Sequence, residues 1–317
     1  MKRISIFFLT LLVGLLFVSC EKDLTDAGDE PKPSKHHKHL IALQISEEPL
    51  SLSEKRMAKG AKREKLYAVN VFAKKKSAKS YSKYAYGLFT DPSKIALEVT
   101  EGNLYRFECL IVTNSEDTIY HDNNTYLAPF LHGSKHSPTP ADNTFKFSTS
   151  ENLSDIALGK TNIAANKTTL YPRLIKSYGL LEDFDPSITQ AINLATRRAV
   201  FGLHFIITPP SEGRLDVTFL SDTLRIAAGN EKYDKQTIYS FNKVDKASQE
   251  SYEGAIKIHL AWHKADGTVK EYDKSVVLKR KVITTLNIEI KAPTPSPISL
   301  TEEGDEMTTE RIDWSIE

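Results

Sequence analysis

Cysteine is almost absent: Cys20 and Cys109 are the two in 317 residues. With Cys20 at the end of an apolar leader, one thiol remains. No intrachain disulfide is then available, and the fold has to rest on its apolar core. Methionine is equally scarce, at 3, whereas Tyr and Phe number 13 and 14, a balance that suits strands better than helix bundles. Charge of one sign is missing as well. Removing Lys2 and Arg3 with the leader leaves 40 of the 42 basic residues against 41 acidic ones. Such a chain has no global field to draw in a polynucleotide, so nucleic acid is excluded as a partner. A catalytic constellation is lacking too. Asp183 and Asp185 lie close together, but in a breaker-rich connector, and His259 and His263 have no third ligand in view. His36, His37 and His39 have no second ligand cluster near them in sequence. No cofactor, metal or enzymatic activity is expected. Apolar content of 40% and charged content of 26% are ordinary for a folded protein.

What is present begins with the leader. Lys2-Arg3 is a positive start, and Ile4 to Val18 is an apolar core of signal-peptide length, too short and wrongly flanked to span a membrane. It stops at Phe17-Val18-Ser19-Cys20, which resembles a bacterial lipobox, with 1–19 removed and Cys20 acylated, for instance with palmitate. An ordinary secretory signal with an incidental Cys is the other reading of the same residues. Anchoring by more than one acyl chain is stable, whereas one chain is marginal. Glu21-Lys22-Asp23 is similar to the surface-export signal of Bacteroidia lipoproteins and implies the outer leaflet, facing the medium.

Residues 20–38 read as a tether, kept extended by Pro31 and Pro33. The stretch around which the chain is organised follows. His39 to Ile45 reads as a short strand in which Leu40, Ile41, Leu43 and Ile45 make both faces apolar, so it is expected to be buried between neighbours. Ser51 to Arg63 is a polar connector carrying Arg56 and Arg63. From Glu54 to Lys83 there are eleven Lys or Arg against Glu54 and Glu64. That is either a solvated basic surface or a protease-accessible loop with an acidic partner. Short alternating runs with turn signals between them then recur: Leu66–Ala73, Ile95–Val99, Leu104–Thr113 and Phe145–Phe147. Cys109 shares a period-two face with Tyr105, Phe107 and Ile111 and reads as a buried strand residue. A short helix is expected within Leu180–Leu194, opened by Asp185-Pro186, with a domain boundary near 185.

The second half alternates more cleanly at Ala199–Ile207, Leu215–Phe219, Ile256–Trp262, Tyr272–Leu278 and Leu286–Ile290, with Ala265-Asp266-Gly267-Thr268 as a hairpin turn. The fold class is therefore all-β. Two tandem β-sandwich domains, 39–185 and 186–290, precede an extended tail, 291–317. Trp262 reads as a core residue, with a sugar-stacking platform as the other reading. The tail is stiffened by Pro293, Pro295 and Pro297. Residues 301–317 hold seven acids against Arg311, and within them Ile312, Trp314 and Ile316 alternate. This is a strand seeking a groove, either elsewhere or as the last edge strand of its own domain. Asp117-Thr118-Ile119 and Asp222-Thr223-Leu224 resemble the Bacteroidia O-glycosylation motif, which would modify Thr118 and Thr223.

The order of these parts, namely a lipobox Cys, a first strand before an Arg-bearing loop, two β-rich halves and an alternating tail, resembles the fimbrillin superfamily, the type V pilus subunits of Bacteroidia. Leu194-Ala195-Thr196-Arg197-Arg198-Ala199 is similar to the opening of that family's second domain, and Thr284-Thr285-Leu286-Asn287-Ile288 to its closing strand. The resemblance implies transthyretin-like sandwiches of Greek-key type and a lipidated precursor held at the outer membrane through Cys20. It also implies an Arg-specific protease cutting at Arg56 or Arg63, and departure of the strand bearing Leu40, Ile41, Leu43 and Ile45. Ile312, Trp314 and Ile316 of another subunit would then anchor a donor strand in the vacated groove, head to tail. A surface lipoprotein that binds a glycan or protein and never polymerises is the alternative.

Overall fold

A computed structural model describes residues 37–50, 64–113, 119–160, 172–290 and 308–316. The leader with Cys20, the connector with Arg56 and Arg63, Thr118, and the proline-bearing part of the tail lie outside the described residues.

The first half contains strands β1 (Lys38–Glu47), β2 (Lys65–Lys75), β3 (Ser82–Phe89), β4 (Ala96–Thr100), β5 (Asn103–Thr113), β6 (His121–Asp122), β7 (Thr125–Tyr126), β8 (Thr139–Pro140), β9 (Lys146–Phe147), β10 (Ile175–Phe184) and β11 (Ala191–Arg198). Eight of them form one sheet in the order β4-β1-β11-β10-β5-β2-β3-β9, while β6, β7 and β8 form a small sheet of their own. The large sheet is rolled over a core of its own making. Ile41 and Leu43 of β1, Leu97 and Val99 of β4, and Ile192 and Leu194 of β11 pack with Val69, Phe89, Phe107 and Cys109 of the other wing. The wings also meet where Tyr84 Oη donates to Glu98 O at 3.0 Å. At the corner, β10 and β11 pair over a short stretch. A Cβ on Gly179 would come 2.5 Å from Ala195 O, so this close approach requires the missing side chain.

The opposite face of the β5 wing is apolar too. Leu66, Ala68, Leu88, Leu110 and Val112 are buried beneath Phe130, Leu153 and Ile156. Strands buried on both faces lose the polar alternation of a one-sided sheet, which is why Cys109 to Val112 of β5 are apolar without a break. Buried Asn70 clips the covering segment down. Its side chain accepts from Leu153 N and donates to Leu153 O, both at 2.9 Å.

The second half contains β12 (Val200–Ile207), β13 (Arg214–Phe219), β14 (Asp222–Ala227), β15 (Tyr233–Ser240), a single helical turn α1 (Val244–Ala247), β16 (Glu253–His263), β17 (Val269–Lys279), β18 (Val282–Ile290) and β19 (Thr308–Ile316). Two four-stranded sheets, β15-β12-β18-β19 and β14-β13-β16-β17, face one another. Phe201, Leu203, Phe205 and Ile207 of the first interlock with Leu215, Val217, Ile258, Leu260 and Trp262 of the second, a sandwich core of the expected kind. Trp262 is buried, and its Nε1 donates to Glu212 O at 3.0 Å, so its ring is a core element.

The architecture is all-β, as expected, with differences in detail. No helix forms across 180–194. Residues 180–184 and 191–194 belong to β10 and β11 with a turn between them, and β11 buries every second side chain: Ile192, Leu194, Thr196 and Arg198. Its fourth inward residue is an arginine, which hides the period-two pattern. A boundary near 185 falls between two strands of one sheet. The passage to the second pair of sheets comes at Ala199, whose N–H donates to Lys176 O at 2.8 Å. β14 and β15 carry exposed polar residues and were not legible as strands.

Candidate functional site

The first strand is inserted and does two jobs. Its Lys38–Ala42 half pairs antiparallel with β4, and its Ala42–Glu47 half pairs parallel with β11, with Ile41 opposite Leu97 and Leu43 opposite Ile192. Ile41 and Leu43 are buried and Ile45 is half-buried. Burying Ile41 and Leu43 stabilises the sheet by about 3–6 kcal/mol, an upper bound from area removed from water. Leu40 corrects the reading of both faces as apolar. It is 75% exposed, because period two turns it away from the core once Ile41 points in. Leu40 therefore does not anchor the strand.

Polar contacts close both ends of β1. His39 Nε2 lies 2.7 Å from Glu101 Oε1 and its Nδ1 3.1 Å from Gln190 Nε2. At the far end Thr196 Oγ1 donates to Ser46 O at 3.2 Å, and Lys65 pairs with Glu47 at 2.7 Å. Beyond the strand, the Glu48 carboxylate enters a pocket of cations. Arg280 Nη1 and Lys281 Nζ each donate to it at 2.9 Å, and the backbone N–H of Arg198 does so at 3.1 Å. The Arg198 guanidinium, 2% exposed, lies 3.8 Å away and donates to Pro49 O at 2.5 Å. Burial pushes the Glu48 carboxyl up. Lys281, the Arg198 N–H and Arg280 outweigh that and hold it below the usual carboxylate range. The end of the first strand is thereby tied to the β17–β18 turn, more than 230 positions along the chain.

The tail lies in the second sandwich. β19 runs parallel to β18 at the edge of its sheet, with Ile312 opposite Leu286 and Trp314 opposite Ile288. Ile312 and Trp314 are half-buried against the sandwich core. Ile316 pairs through its backbone with Ile290. Lys274 Nζ stands 5.3 Å above the Trp314 ring, Lys279 reaches Glu310 at 3.6 Å, and Asn287 Nδ2 donates to Asp313 at 2.6 Å. In the single chain the tail thus takes the second place the sequence left open, an edge strand of its own domain. β1 and β19 belong to different sheets.

The remaining sequence landmarks fall elsewhere. Asp183 and Asp185 pair with Lys74, at 2.6 Å, and with Lys76. Those ammonium groups hold both carboxyls below the usual range, so these are surface ion pairs. Cys109 is fully buried, and burial pushes its thiol far up. Thr223 is half-buried, with Oγ1 3.0 Å from Thr218 Oγ1. Among the described residues no group of three His, Cys, Asp or Glu is placed to hold a metal ion. A cavity of about 150 Å³, lined by Phe205, Phe219, Tyr233 and Tyr239 with Asp222 and Lys235, lies between β14 and β15 at the edge of the sandwich. Sequence reasoning missed it, and missed Glu48, Arg280 and Lys281. An acid at the end of a strand and two cations in a turn carry no local signal.

No family model matches this chain, and none of the curated proteins is similar to it in sequence. Among solved structures it is similar to a Bacteroides eggerthii protein described as a candidate cell adhesion protein. The two are 10% identical over 90% of this chain and all of that one, with a TM-score of 0.36. The fimbrial anchor protein Mfa2 of Porphyromonas gingivalis is 13% identical over 75% of this chain and 82% of its own, with a TM-score of 0.28. The tip fimbrial protein Mfa3 of the same organism, truncated at its C-terminus, is 11% identical over 75% and 81%, with a TM-score of 0.24.

Proposed function

We propose that this protein is a structural and adhesive subunit of a cell-surface pilus, carried to the outer membrane as a precursor lipidated on Cys20. In this reading an Arg-specific protease cuts at Arg56 or Arg63 and β1 leaves. The groove between β4 and β11 is then filled by the terminal strand of another subunit. The observation that supports it is the seat of β1. The strand is paired on both sides, buried through Ile41 and Leu43, and joined to β2 by a connector that offers two arginines. Its Ile-x-Leu-x-Ile spacing matches Ile312-x-Trp314-x-Ile316 of the tail, and β1 and β19 both run parallel to one partner strand. Alternate side chains filling pockets while backbone bonds extend a sheet is how strand addition achieves specificity. The acidic tail would be steered to the basic 54–83 stretch, although Lys74 and Lys76 are already paired within the chain. Glycosylation at Thr118 or Thr223 would belong to the exported form.

The N-terminal residue of protein recovered from cell-surface fractions tests this. A chain starting at Met57 or Glu64 supports a processed subunit. A chain starting only at Cys20, in surface filaments as well as in the membrane, overturns it.

The second reading, a lipoprotein that binds a glycan or protein and does not polymerise, is favoured by the aromatic-lined cavity between β14 and β15. Removal of residues 301–317 separates the two. Loss of oligomer ladders supports the pilus subunit, and unchanged assembly supports the binding module.

A further inference from the structure

The pocket that holds Glu48 is out of proportion to a strand end. Arg280 is nearly buried, with its side chain 7% exposed, and Arg198 is buried outright. Lys281 sits at φ +60° in the β17–β18 turn and donates its backbone N–H to Val200 O at 2.8 Å, which aims its side chain back at the first strand. Among the described residues the carboxylate that all three share is Glu48. Its own N–H donates to Thr196 O at 3.2 Å, so it continues the path of β1 along β11.

Building on the removable-strand reading, we propose that Arg198, Arg280 and Lys281 form a carboxylate-recognition subsite at the end of the β4–β11 groove. Glu48 fills it in the precursor and holds β1 in register. The spacing follows from β1: the acid stands three residues beyond the last inward apolar side chain, Ile45. The resident strand therefore reads apolar-x-apolar-x-apolar-x-x-acid, and the pattern sets its register as well as its affinity, whereas the Ile312-x-Trp314-x-Ile316 tail carries Glu317 directly after its last apolar residue. The physical reason is asymmetric. Apolar pockets at period two accept a strand slipped by two residues almost equally well. A buried cation left without its carboxylate does not tolerate the slip, because desolvated charge is strongly destabilising when one partner is removed.

The test uses the full chain with a specific protease site placed within 51–63. The chain is cut, and a labelled synthetic peptide of residues 37–50 is exchanged against the resident strand. Three peptides are compared: the native one, Glu48→Gln, and Ser46→Glu/Glu48→Gln, which moves the acid two residues along the strand at an exposed position. The native peptide is expected to bind on the order of tenfold to a hundredfold more tightly than either variant, and to weaken more steeply with salt. The gap is expected to narrow in a Lys281→Met chain. Equal affinity of the three peptides overturns the subsite while leaving the removable strand intact. Failure of every peptide to enter the cut chain overturns the removable strand, and the subsite with it.

Discussion

Lys176 shows what a single residue contributes and what it costs. It lies on β10, fully buried where the rolled sheet meets the sandwich, and its Nζ donates to Gly159 O. Burial, with no carboxylate among the described residues to offset it, pulls its pKa down to about 7. Because the folded pKa lies below the unfolded value of about 10.4, the unfolded chain binds more protons between those limits. Stability should therefore rise as pH increases from about 7 towards 10, opposite to the usual alkaline loss, and denaturant midpoints across that range check it. Lys176→Met removes the buried charge. It is expected to stabilise the fold by about 1–4 kcal/mol at neutral pH, with the gain shrinking towards pH 10. Nothing in the local sequence Leu174-Ile175-Lys176-Ser177 distinguishes this lysine from an exposed one. Its burial is decided by Ala199, Ser240 and Gly159, which reach it from three other segments.

At the scale of the element, the first strand separates pattern from position. His39 to Ile45 is apolar enough to be recognised as a strand, and its period of two places Ile41, Leu43 and Ile45 on one side. Which side faces the core was not readable, because Leu40 and Ala42 offered a second apolar face. Ile41→Ala and Leu43→Ala are each expected to lower stability by about 2–5 kcal/mol. Leu40→Ala is expected to stay within about 0.5 kcal/mol, and urea midpoints of the three variants report the difference. β11 failed the opposite way. Its alternation is complete, but the run ends in Arg198, an inward charge that Glu48 and Pro49, roughly 150 positions earlier, help to make acceptable. A local reading discounts such a residue, and the helix expected within 180–194 reaches into the start of this strand.

The molecule as a whole is joined by that same contact. Glu48 ties the first strand of the rolled sheet to the β17–β18 turn of the sandwich. The carboxyl titrates below its unfolded value, so the stabilisation it contributes is present above an unfolded pKa of about 4.3 and is lost as pH falls through the folded one. Amide exchange should therefore accelerate across residues 41–48 below about pH 4, before it does so in β5. Equal protection of the two strands in acid would show that the clamp does not hold β1. At this scale the tail also found its place: Ile312 and Trp314 complete the β18 edge of their own sandwich.

The linear order of residues determined that the chain is all-β, where most strands run, that a first strand precedes a basic connector, and that the acidic tail ends in a strand. Period-two burial is a local property, and turn chemistry marks its limits. Tertiary structure alone decided that eight strands roll into one sheet, that β11 lies against β1, and that three cations from two distant segments converge on Glu48. Each of these depends on pairing between residues far apart along the chain, where a side chain's worth is set by partners that no window of sequence contains.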